Sequence, residues 1–175
     1  IPTILLGAGI KLFVPYLFNL YLRSNLSIAL ISFLMAIFMY LADISKKGSI
    51  NFKNHKYSDS FLIGISQAFA IIPGVSRSGI TISTSFLSGW ERRDAAKFSF
   101  LLGIPAISFA AIVEFISSFN EYSSLSFFSL FLGITTTFLS SLISIDFFLK
   151  YISASGLKLF IVYRVVFGFV ILLNL

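Results

Sequence analysis

The amino-acid sequence predicts an all-α polytopic membrane helix bundle with a re-entrant helical hairpin over residues 60–90. Three observations predict it. Of the 175 residues 57% are hydrophobic and only 11% charged, with a mean hydropathy of +0.96, whereas soluble domains carry about 25% charged residues. Apolar runs of membrane-crossing length alternate with short polar connections. One apolar stretch is broken at its centre by PGVSRSG, residues 73–79.

That composition excludes a soluble globular enzyme. Thirteen basic and seven acidic residues give a net charge of +6. The charges fall in gaps between apolar runs and form no patch, so no nucleic-acid partner is predicted. Without cysteine there is no disulfide framework, thiolate metal site or cysteine nucleophile.

Taken in order, a weak span over 3–20 is interrupted by Lys11 and Pro15, and stronger spans follow over 26–43, 98–118, 126–149 and 159–174. Pro105 falls inside the second strong span, where a bundle can re-satisfy the freed carbonyl. Ile1 begins within an apolar run with no basic segment before it, which reads as a chain cut mid-helix and not as a signal peptide. Residues 1–175 are expected to be one integral membrane domain.

Nine of the basic residues lie in the 44–59, 91–97 and 150–158 connections, and none in 119–125. The positive-inside rule puts those three in the cytoplasm, with 21–25, 119–125 and the C-terminus outside. Residues 60–90 then start and finish on the cytoplasmic side. Each flank of the break has about 12–14 residues, or roughly 20 Å of helix, which passes the middle of a core about 30 Å thick without crossing it. Irregular backbone at that depth requires burial or a wet cavity.

The tip suits an anion. Pro73 ends the first half-helix and Gly74 frees the turn. Ser76 and Ser78 can cap the second half-helix, Gly79 permits close backbone approach, and Thr81 adds a hydroxyl one turn in. Arg77 is a permanently charged fork suited to phosphate oxygens. Its bland alternative is a structural kink with Arg77 paired to an acid such as Glu114. Gln67 either faces the same cavity or bonds between helices. Arg164 lies inside the last span and must face the bundle or snorkel. His55 reads as solvated, Glu91–Asp94 as a solvated turn, and Asp146 with Lys150 as an i,i+4 pair.

QAFAIIPGVSRSGITIS resembles the second signature segment of the undecaprenyl pyrophosphate phosphatase family, the bacitracin-resistance-type lipid pyrophosphatases. Gln67, Pro73, Gly74, Ser76, Arg77, Ser78, Gly79 and Thr81 match its pattern. AAKFSFLLGIPA (95–106) and FIVYRVVFG (160–168) are similar to later family segments. The resemblance implies the second part of an inverted-repeat architecture in the bacterial plasma membrane. The implied reaction is hydrolysis of a polyprenyl pyrophosphate to the monophosphate and inorganic phosphate, which recycles the cell-wall lipid carrier and confers bacitracin resistance. Arg77 and Ser76 are the implied catalytic residues, Ser76 and Ser78 being phosphate ligands or nucleophiles. Gly74, Gly79, Thr81 and Gln67 complete the implied phosphate-binding set.

The family's other signature, with paired glutamates and a histidine, has no counterpart here. Mg²⁺ or Ca²⁺ is implied by resemblance, with ligands outside this chain, and residues 1–175 alone are expected to be inactive. The competing function is a transporter or flippase for an anionic lipid or small anion, because broken helices also mark transporters. A membrane member of the acid phosphatase superfamily would need a histidine where Ser83 stands, and an intramembrane serine protease a histidine within a span.

Overall fold

The structure, a computed structural model, describes residues 21–45, 48–118 and 126–174. The expected 3–20 span, with Lys11 and Pro15, and the whole 119–125 connection lie outside these residues. Among the described residues six α-helices follow one another: α1 (Asn25–Ile44), α2 (Tyr57–Ala68), α3 (Arg77–Leu87), α4 (Arg92–Ser117), α5 (Phe127–Ser155) and α6 (Lys158–Leu173). A 3₁₀ turn, Phe69–Ile71, continues α2. Among the described residues there is no strand, only an isolated parallel bridge between Ile50 and Trp90.

Helices α1, α4 and α5 are each long and apolar enough to cross a membrane, and the chain is a multi-pass membrane protein. Helix α6 forms where a span was expected over 159–174. Its 16 residues give about 24 Å of helix. Pro105 is accommodated inside a continuous α4.

Helix α5 presents nearly every side chain outward, and Ile152 is its one buried residue. Apolar groups such as Phe127, Ile134 and Ile143 stay exposed along it, an arrangement suited to hydrocarbon and costly in water.

Two close contacts set α1 against α6. The Phe33 and Phe169 rings meet edge-on at 5.1 Å, and a Cβ on Gly168 would strike the Phe33 ring. Farther along, the Asp43 carboxylate accepts from the Leu157 N–H at 3.0 Å. Phe33 thus faces Phe169 while Asp43 faces Leu157, so the helices run antiparallel. Asp43 also pairs with Arg92 at 3.1 Å. The reading of Glu91–Asp94 as a solvated turn is therefore corrected at Arg92 and Asp94, while Glu91 and Arg93 are exposed as expected. Arg92 is drawn to a nearly buried carboxylate, and Asp94 accepts from the Phe52 N–H at 3.2 Å.

Helices α2 and α3 form the expected hairpin. Its base is closed where Ile50 N–H donates to Gly89 O at 3.0 Å and Glu91 N–H to Ile50 O at 2.8 Å. Both ends of the hairpin therefore meet at one place. His55 is also corrected from solvated to half-buried. Its ring packs 5.3 Å from Trp90 in a group with Phe52 and Phe98. The hydrophobic core beneath joins Met35 and Met39 of α1, Ile63 of α2, Ile82 and Phe86 of α3, and Leu157 before α6.

Candidate functional site

The break in the hairpin is built by four residues. The backbone leaves the 3₁₀ turn through Ile72, whose carbonyl accepts from the Val75 N–H at 3.0 Å. Gly74 takes φ +94°, a region that L side chains avoid. A Cβ there would also stand 2.9 Å from the Ile28 carbonyl oxygen. Ile28 lies in the first turn of α1, so the tip has travelled most of that helix's length from the hairpin base. Ser76 then caps α3, its Oγ accepting from the Gly79 N–H at 3.1 Å. That bond uses a lone pair and leaves the hydroxyl proton available to a ligand.

A cavity of about 90 Å³ opens beside the start of α3. Ser76, Ser78, Gly79 and Arg164 line its polar side, and Met39 and Phe160 contribute to its apolar wall. Gly79 is required here, because a Cβ would press on Ser76 and on the Met39 sulfur. Arg164 arrives from α6 and its Nη1 donates to the Gly74 carbonyl oxygen at 2.7 Å. A guanidinium carries five N–H donors, so this bond anchors the side chain and leaves others for an anion.

Arg77 projects toward a different neighbour, α4. Its Nη1 donates to the Ser99 carbonyl oxygen at 3.2 Å, and its guanidinium fills the space left by Gly103, where a Cβ would collide with it. Glu114 is not its partner. That acid is exposed and accepts from Ser118 Oγ at 3.4 Å. Thr81 follows Arg77 one turn on along the same face. It is fully buried, and its hydroxyl meets Ser99 Oγ at 2.7 Å and donates to Arg77 O at 2.9 Å. Gln67 is buried in α2.

The structure thus gathers Ser76, Ser78 and Gly79 around one cavity, with Gly74 at its edge through Arg164. Arg77 stands across α3 from them, Thr81 joins α3 to α4 through Ser99, and Gln67 is buried in α2 outside the cavity lining. Arg164 was placed in a span by sequence but not at the tip. Its one signal was a charge in an apolar run that had to face something polar.

The donor set around the cavity does not fit a divalent cation. It consists of a guanidinium, hydroxyls and a helix N-terminus, all suited to negative charge. No group of three His, Cys, Asp or Glu that could hold a metal occurs among the described residues.

Comparison with known proteins agrees with the geometry. The family model described as bacitracin resistance protein BacA matches residues 1–170. A protein named undecaprenyl-diphosphatase from Prochlorococcus marinus strain MIT 9312 is 78% identical over 175 residues, covering 100% of this chain and 65% of that relative. Proteins of the same name from strains AS9601 and MIT 9301 are 74% and 73% identical, also over the whole chain, which covers 64% and 66% of them. The chain therefore spans just under two thirds of the length of these curated relatives.

Proposed function

The chain belongs to the bacitracin resistance protein BacA family, and from that premise we propose that the full-length protein hydrolyses undecaprenyl pyrophosphate to the monophosphate and inorganic phosphate. The observation that carries this reading is the broken-helix tip. A capped helix N-terminus, two serine hydroxyls and the Arg164 guanidinium converge there, beside an apolar wall suited to a prenyl chain.

In the reaction the bond between the terminal phosphorus and the bridging oxygen breaks. The lipid monophosphate departs with that oxygen, and the terminal phosphoryl group takes oxygen from water. Charge on the phosphoryl oxygens is met by the Arg164 guanidinium, already fixed in place by the Gly74 carbonyl, which is the form of electrostatic stabilisation that needs no rearrangement during the reaction. Ser76 acts as a ligand, its proton directed to a phosphate oxygen while its lone pair holds the Gly79 N–H. Arg164 supplies permanent charge at the cavity, and Arg77, the catalytic residue implied by the family pattern, acts from across α3, where Ser99 holds it.

The base that activates water, and any Mg²⁺ or Ca²⁺, belong in this proposal to residues outside the set at the tip. Residues 1–175 by themselves supply the pyrophosphate-binding half and do not turn over. The 44–59, 91–97 and 150–158 connections are cytoplasmic in this reading, the C-terminus is outside, and the protein resides in the bacterial plasma membrane.

The test is phosphate release from undecaprenyl pyrophosphate by full-length protein carrying Arg77→Ala. The expected loss is about a hundredfold or more, the scale seen when one preorganised donor is removed. Near-normal turnover would overturn the assignment.

A further inference from the structure

Helix α6 carries Arg164 to the tip, and something must fix its rotation. The contacts at its start do this. We propose that Asp43, at the end of α1, is a positioning residue that sets α6 and thereby aims Arg164 at the tip. The proposal rests on the reading of Arg164 as a phosphate ligand.

The Asp43 side chain is 5% exposed, and one of its oxygens takes two hydrogen bonds. One is from the Leu157 N–H at 3.0 Å and the other from Arg92 Nη2 at 3.1 Å. Leu157 is the residue that caps α6, and its own side chain offers no capping bond. The carboxylate of α1 therefore does for α6 what a local Asp or Ser usually does, and its charge opposes the positive end of the helix dipole. Gly156 makes this possible. Its φ is +68°, and a Cβ there would collide with the Asp43 carboxylate and the Arg92 guanidinium.

Helical geometry carries the effect onward. Leu157 and Arg164 are seven residues apart, two turns on and about 20° from the same face. Both line the same cavity. Fixing the Leu157 end therefore fixes the direction in which Arg164 leaves the helix. Arg92 holds the carboxylate from α4, so three elements remote in sequence meet at one oxygen.

A double-mutant cycle on the full-length protein tests this, with turnover of undecaprenyl pyrophosphate as the readout. Asp43→Ala is expected to lower kcat/KM about tenfold when Arg164 is present. In an Arg164→Gln background the same change is expected to cost less than about twofold, because the residue it aims is gone. A merely structural Asp43 would cost the same factor in both backgrounds, and that result overturns the proposal. So does an Asp43→Ala protein with unchanged kcat/KM, or an Arg164→Gln protein as active as the parent. None of these outcomes touches the hydrolysis reading, which stands or falls with Arg77→Ala. If Asp43→Ala yields no folded protein, Asp43→Asn replaces it in the cycle under the same criteria.

Discussion

Arg164 on the last helix donates a 2.7 Å hydrogen bond to the carbonyl oxygen of Gly74, 90 residues earlier in the chain. The bond ties the turn of the hairpin to the opposite side of the cavity. A charge that must find a partner inside the bundle finds a backbone carbonyl, and the remaining guanidinium donors face the space where an anion fits. Arg164→Gln is expected to lower phosphate release about tenfold or more. Arg164→Lys, which keeps charge but loses the fork, is expected to fall between Gln and the parent. A phosphate-release assay on purified full-length variants checks the order.

Gly103 gives Arg77 its room. Gly103→Ala places a methyl group inside the guanidinium, which then has to leave the Ser99 carbonyl. The expected result is a loss of turnover approaching that of Arg77→Ala, with little change in melting temperature. Comparing kcat/KM with thermal unfolding in detergent separates the two effects.

Gly74 combines φ +94° with a neighbouring Ile28 carbonyl. Gly74→Ala should destabilise the protein by about 1–3 kcal/mol through backbone strain, and the contact with Ile28 adds to it. The measurement is the midpoint of thermal unfolding, and an unchanged midpoint would show that the turn relaxes freely.

Thr81 and Ser99 join α3 to α4 through hydroxyls 2.7 Å apart. Thr81→Val preserves the shape and removes the bond. It is expected to cost about 0.6–1.7 kcal/mol, the scale of interhelical hydrogen bonds in membranes, while turnover per folded molecule stays within about twofold. A turnover loss matching that of Ser76→Ala would instead make Thr81 a phosphate ligand.

The hairpin and its tip were legible because their signals are local. Pro73, Gly74 and the capping Ser76 act within a few residues of themselves, and chain length against bilayer thickness decides that the flanks turn back. The family pattern puts Thr81 in the phosphate-binding set, whereas its hydroxyl meets Ser99 of α4, a partner that no local signal names. What the sequence withheld are choices between distant partners. Asp43 and Arg92 are ordinary charges near helix ends, and nothing local says that they meet across 49 residues. Likewise His55 sits in a basic segment, and only the meeting of that segment with Trp90 and Phe98 draws it half inside.

The bridge between Ile50 and Trp90 has a further consequence for how such a protein is assembled. A segment that leaves and returns through one gate contributes nothing to the parity of membrane crossings. In the proposed topology the sidedness of α4, α5 and α6 is therefore set by α1 and the basic connections, whatever the hairpin contains. The proposed anion-binding residues occupy an excursion that the topology does not count, so they are free to change without turning any other helix upside down.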